Sequence, residues 1–155
     1  MRMLIFFCLL GYAQAAGLVS PVPNCRFEPH GGKDYQRRVH PITGQVHWHS
    51  GVDLVAPEGT PYLAPGDGVV TKAGFVNNRC GYMIEIKHGP NLYSHSCHMK
   101  KGGFPPGIRP GVEIKKGQKV AEVGNTGGSR GPHAHFVVKT TPGFSNHMDP
   151  YIHVD

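Results

Sequence analysis

Eleven histidines in 155 residues are spread unevenly, and three groups of them have spacings suited to chemistry. The first is His133-Ala134-His135, at the head of the apolar run Phe136-Val137-Val138. Residues i and i+2 of a strand project from one face about 7 Å apart, so both imidazoles can serve one site, one binding a metal and the other acting on substrate. The second is His49-Ser50-Gly51-Val52-Asp53, an H-x-x-x-D pattern that Gly51 places on strand or loop. Zinc takes imidazole nitrogen and carboxylate oxygen, and its hydrolytic sites use three protein ligands with a fourth position open to water. His49, Asp53 and one histidine of the H-x-H pair form such a set. The third group is Tyr93-Ser94-His95-Ser96-Cys97-His98. Its two histidines are three apart and point to opposite faces of a regular strand, so only one can join the same site. Each pattern taken singly also describes ordinary polar packing residues.

Short strands must position these groups. With 22 glycines and 14 prolines, turn residues punctuate the chain every few positions, and β-type runs lie between them at residues 68–73, 82–87, 92–99, 118–123 and 133–139. This spacing predicts an all-β fold, an antiparallel sandwich or barrel-like domain. No amphipathic helix survives the glycine and proline spacing. One domain is expected over residues 36–155, led in by an irregular arm at 16–35. His88-Gly89-Pro90-Asn91 reads as a hairpin turn. A register that sets Lys87 opposite Leu92 sets Tyr82 opposite Cys97 and Cys80 opposite Met99. Cys80 and Cys97 then share a face on diagonal positions where a disulfide is feasible, and His98 points the other way.

The first 15 residues read as a secretory leader: Arg2, an apolar run over residues 3–10, and the small-x-small site Ala13-Gln14-Ala15. The run falls short of the roughly 20 apolar residues that span a bilayer. The mature chain is therefore expected outside the cytoplasm, in periplasm, wall or medium. It keeps Cys25, Cys80 and Cys97, enough for one internal disulfide with one thiol over. A formal charge of +6 and a pI near 9.3 draw such a protein to polyanions, anionic wall polymers among them. The lysines come in scattered pairs with little aromatic interleaving, which argues against nucleic acid.

Taken together, these residues match a known pattern. RVHPITGQVHWHSGVDLVAPEGTPYLAPGDGVV from Arg38, and later GQKVAEVGNTGGSRGPHAHFVV, closely resemble the lysostaphin- and LytM-like zinc endopeptidases of bacteria and their phages. The likeness runs from about Tyr35 to Lys139 and keeps three motifs in order: H-x-x-x-D, a histidine in the strand after the hairpin, and G-x-x-G-P-H-x-H. The resemblance implies a compact antiparallel β domain with a groove across one sheet, and Zn2+ held by His49, Asp53 and His135. It also implies a peptidoglycan peptide as substrate, cut with the help of His133 and a second histidine. The chain departs from the family at that second position. His95 keeps the upstream Tyr93, whereas His98 keeps the apolar follower Met99 and the spacing from His88-Gly89; strand length and facing favour His98. His133 and His98 would share two tasks, accepting the proton of water and stabilising the oxyanion. His40 belongs to an R-x-H-P-x-T-G opening that reads as a structural loop; His47 shares a strand face with His49, from which it can line the cleft, but reads rather as a solvated residue; His30, His147 and His153 carry no motif. Residues 100–111, with Pro105-Pro106, are expected as a long loop at the edge of the groove, and the glycines around 124–131 as room for a peptide to approach. The rival reading is a non-catalytic wall-binding or activator protein on the same fold, which would lack some of these residues.

Overall fold

A computed structural model of the protein describes residues 17–25, 35–40 and 42–150. The expected leader at 1–15, half of the arm, His30 and His153 lie outside the described residues. The rest is almost entirely strand and turn. A short hairpin pairs β1 (Arg37–Val39) with β2 (Val46–Trp48). The main sheet is built from β3 (Val52–Val55), β5 (Gly68–Asn77), β6 (Gly81–Gly89), β7 (Leu92–Met99), β8 (Glu113–Ile114), β10 (His133–Lys139) and β11 (His147–Met148). A second two-stranded sheet pairs β4 (Pro61–Leu63) with β9 (Lys119–Glu122). In the main sheet the order is β11-β10-β7-β6-β5-β8, every pairing is antiparallel, and β3 lies against the edge of β10 that β11 also uses further along.

Strand alternation separates two faces. One face of the main sheet carries Val52, Leu54, Ile84, Ile86, Ala134, Phe136 and Val138, all buried. These pack with Tyr62, Val120, Ala121 and Val123 from the β4–β9 side into the principal core. Burying each large aliphatic or aromatic side chain contributes about 1.5–3 kcal/mol. Residues 17–25 contain no strand but insert Leu18 and Val22 into this core, held by bonds from Val19 N to Pro65 O and Leu63 N to Pro21 O. The opposite face of β3, β7 and β10 carries Asp53, His95, Cys97, His133, His135, Val137 and Lys139. It forms the floor of a groove of about 700 Å³.

Two details of the hairpin differ from the sequence reading. The turn is the two-residue Pro90-Asn91, and bulges at both ends of the pairing shift its register. Lys87 faces Tyr93, Glu85 faces His95, and Tyr82 faces Met99. Cys80 and Cys97 are nonetheless joined by a disulfide, with Cα atoms 4.8 Å apart. The loop expected at the groove edge is elsewhere. Residues 100–111 contribute nothing to the groove lining; Phe104 and Ile108 pack against the principal core instead, with Phe104 beside Tyr82. Burying these two apolar side chains is what draws the loop away from the groove.

Candidate metal centre and its groove

The register of three strands builds the centre. Asp53 on β3 sits directly opposite His135 on β10, which sits directly opposite Cys97 on β7. His49 precedes β3 and reaches the same point because the chain at Gly51 runs against β10. A Cβ on Gly51 would lie 2.2 Å from the Phe136 carbonyl oxygen, so only glycine permits the approach. The His49 backbone N–H donates to Gln36 O at 2.7 Å, tying it to the β1–β2 hairpin.

Three side-chain donors converge there. His49 Nε2 and His135 Nδ1 lie 3.2 and 3.0 Å from Asp53 Oδ1, and 3.0 Å from each other. Tetrahedral zinc with ligand bonds of about 2.0–2.1 Å holds its donors about 3.3 Å apart, so the triangle fits that ion. Among the described residues this is the one group of three or more such ligands arranged for a metal. Burial opposes charge on Asp53, but the hydrogen bonds and charges of His135 and His49 outweigh it and hold the carboxyl far below the usual carboxylate range. Burial also lowers the pKa of His135 against the pull of Asp53. An ionised carboxylate and a neutral imidazole are the protonation states that bind metal.

Two more histidines stand beside the triangle. His133 Nε2 lies 3.6 Å from Asp53 Oδ1, and its Nδ1 lies 2.8 Å from Gly131 O. The His98 ring centre is 4.6 Å from that of His133 and 6.3 Å from that of His135. His98 Nδ1 meets Thr126 O at 2.7 Å. A carbonyl only accepts, so the Nδ1 of both rings carries the proton, leaving Nε2 as the basic nitrogen of the neutral ring. Burial, then the neighbouring histidines, push the pKa of His98 down to about 4 against the Thr126 bond.

The strand bulge explains how His98 comes to face the groove. His98 has φ of 65°, a left-handed conformation uncommon for a residue with a side chain. Its N–H donates to Cys80 O at 2.8 Å while the disulfide holds the preceding residue. The bulge turns it onto the face that His95 and Cys97 already occupy, so the expectation that His95 and His98 point oppositely fails. His95 lies further along, fully enclosed, with its ring against Phe144 and its Nδ1 without a hydrogen-bond partner among the described residues. Burial holds its pKa well below the ordinary value.

Apart from His47, the groove walls were illegible in the sequence. His40 accepts hydrogen bonds at Nδ1 from Ile42 N and Thr43 N and so shapes the hairpin loop. His47 is half-buried, with its ring against that of His40, and it lines the groove. Tyr35 bridges Trp48 and His147, its hydroxyl hydrogen-bonded with His147 Nδ1 at 2.9 Å. Of the glycines read as room for a peptide, Gly127 serves close packing. Its φ is 76°, and a Cβ there would lie 2.5 Å from Gly81 N. Gly128 and Gly131 do line the groove.

The comparisons with known proteins agree with this geometry. Residues 47–150 match the model of peptidase family M23. The peptidoglycan DD-endopeptidase ShyC of Vibrio cholerae is 39% identical over 100 residues, which are 64% of this chain and 22% of that protein. An uncharacterised metalloprotease of Haemophilus influenzae is 37% identical over 99 residues, 64% of this chain and 20% of that protein. The chain thus spans about a fifth of the length of these relatives. Among solved structures, the catalytic domain of the antimicrobial peptidase lysostaphin from Staphylococcus simulans superposes with a TM-score of 0.67 at 27% identity, covering 77% of this chain and 86% of that one. A zinc-containing peptidase from Vibrio cholerae superposes with a TM-score of 0.58 at 35% identity, covering 66% of this chain and 30% of that one. Motif order, sheet topology and the convergence of His49, Asp53 and His135 lead to one assignment: this chain belongs to peptidase family M23.

Proposed function

We propose that the protein is a zinc-dependent endopeptidase that hydrolyses peptide cross-links or stem peptides of bacterial peptidoglycan, and that it works outside the cytoplasm. The observation that carries this reading is the meeting of two imidazole nitrogens and a carboxylate oxygen within 3.2 Å, with two further histidines along the same groove. A non-catalytic binding protein has no need of the second pair. Relatives that act on peptidoglycan support the substrate.

His49 Nε2, Asp53 Oδ1 and His135 Nδ1 would hold the metal. Zinc, when bound, supplies Lewis acidity toward water and a peptide carbonyl. The protein's own part is to place and move protons. His98 is neutral at pH 7, and with Nδ1–H given to Thr126 O its Nε2 can take a proton from the attacking water. His133, anchored through Nδ1 to Gly131 O, keeps Nε2 on the Asp53 side; carrying a proton there as well, it donates a hydrogen bond to the tetrahedral oxyanion, while the proton that His98 has taken from water passes to the leaving amine. Val137, Trp48 and Phe144 give the groove apolar walls that shed water from a bound peptide.

Loss of turbidity of purified cell walls, combined with metal analysis, tests the reading. The wild-type chain with one zinc per molecule should clear the walls, and chelator should stop it. Asp53→Ala should lose both metal and clearing, and His133→Ala should keep metal but lose clearing. Clearing that persists in chelator, or in zinc-free Asp53→Ala, refutes the proposal.

A further inference from the structure

The groove carries its charge at one end, and that distribution points to the kind of peptide it takes. Asp53 is the one carboxylate lining it among the described residues, and the metal triangle claims that group. Lys139, at the Phe144 end, gives its ammonium to Glu85. At the other end Arg79 and Arg130 both line the groove, both are exposed, and neither forms an ion pair within the described residues. They belong to different loops that the backbone locks together. Gly128 N donates to Arg79 O at 2.8 Å, and a Cβ on Gly127 would lie 2.6 Å from that same oxygen. Arg79 is also held from its other side, its N–H donating to Asn77 Oδ1 at 2.9 Å. The two cations therefore start from fixed points beside His98 and His133. Arg79 adjoins Cys80, whose carbonyl binds His98, and Arg130 adjoins Gly131, whose carbonyl binds His133.

We infer that Arg79 and Arg130 form a carboxylate-binding subsite next to the reacting bond, and that the groove takes a stem peptide bearing free carboxylates in preference to a neutral bridge such as polyglycine. The inference rests on the reading of the groove as a peptidoglycan peptide site. Guanidinium groups suit the task because their planar donor forks match a carboxylate bidentately. Two unpaired cations facing a groove with no free acid raise the local concentration of an anionic ligand and exclude a cationic one.

The experiment is a binding titration by fluorescence anisotropy, which does not depend on turnover. The probes are a labelled stem peptide with free carboxylates and the same peptide fully amidated. The proteins are wild type, Arg79→Gln, Arg130→Gln and the double variant, each with zinc. Wild type should hold the free-carboxylate peptide about tenfold more tightly than the amidated one. The double variant should lose that preference while binding the amidated peptide as wild type does, and added salt should weaken only the wild-type preference. Arg79→Lys should keep part of the preference. Equal wild-type affinity for the two probes, or equal weakening of both in the double variant, overturns the inference. Wall clearing is measured alongside. A charge preference without clearing leaves the subsite standing and refutes the endopeptidase reading, and clearing without a preference does the reverse.

Discussion

Lys139→Met is expected to be among the most damaging single substitutions away from the metal centre. The Lys139 side chain has no solvent exposure and that of Glu85 has 4%. Lys139 Nζ donates to Glu85 Oε2 and to Gly143 O. Glu85 also accepts from Thr71 Oγ1 at 2.8 Å and from Gly143 N at 3.1 Å. Removing the cation leaves a buried carboxylate with two neutral donors, and breaking a buried pair from one side costs about 3–5 kcal/mol. A domain of this kind has about 5–15 kcal/mol in all. Adding Glu85→Gln removes the stranded charge, and the Thr71 hydroxyl can reverse to accept from the amide. The double variant should therefore recover about 2 kcal/mol or more of the loss. Urea unfolding of metal-free wild type, both singles and the double at pH 7 reads these values. The pH dependence has a definite sign. Burial works against the Glu85 charge, but Lys139, Thr71 and Gly143 prevail and set its pKa below the ordinary value. Its contribution is thus complete above the unfolded pKa of about 4.3 and is lost as pH falls through the folded value. Without Lys139, burial raises that pKa, so the gap between wild type and Lys139→Met should narrow as pH falls from 7 toward 5. A loss under about 1 kcal/mol for Lys139→Met, or a double variant that costs the sum of the singles, refutes the reasoning.

Other outcomes follow from the same geometry. His98→Ala should lower kcat on a defined cross-linked peptide by about a hundredfold or more with zinc retained, while His95→Ala should leave kcat within a fewfold; the opposite pattern moves the role to His95. Cys80→Ser with Cys97→Ser opens a 17-residue separation and should cost about 3 kcal/mol in urea unfolding, with a larger fall in kcat than in metal content because the bond holds the residue before His98. Gly51→Ala should cost more than about 3 kcal/mol and weaken zinc affinity by isothermal titration, since its methyl group meets the Phe136 carbonyl; a folded variant with wild-type affinity contradicts that contact.

How much of this was legible depends on the distance over which each feature is encoded. Strand period 2 is local, so His133 and His135 could be placed on one face, and the runs at residues 92–99 and 133–139 coincide with β7 and β10. Three-residue strands such as β1, β2 and β4 carry too little alternation to be recognised, and they exist because partners pin them. The bulge at His98 was invisible because its positive φ is sustained by Cys80 O and Thr126 O, contributed from 18 and 28 residues away. The register error in the hairpin followed from the same cause, because a bulge adds a residue that no pairing rule anticipates. Glu85 and Lys139 are 54 residues apart in sequence, and no local pattern pairs them. Only the loop that folds over them, through Gly143, makes them interior. Arg79 sits in no motif and Arg130 fills an unspecified position of G-x-x-G-P-H-x-H, and the nearness of their loops is a product of the glycine contact between them.

The covalent link between β6 and β7 also sets a schedule. In a reducing cytosol the two sulfurs stay apart as thiols, and the bulge that presents His98 lacks its staple. Only after oxidation does that strand become fixed. If the protein is exported as proposed, a cell that makes it holds a blunt tool until the chain has left the cytosol.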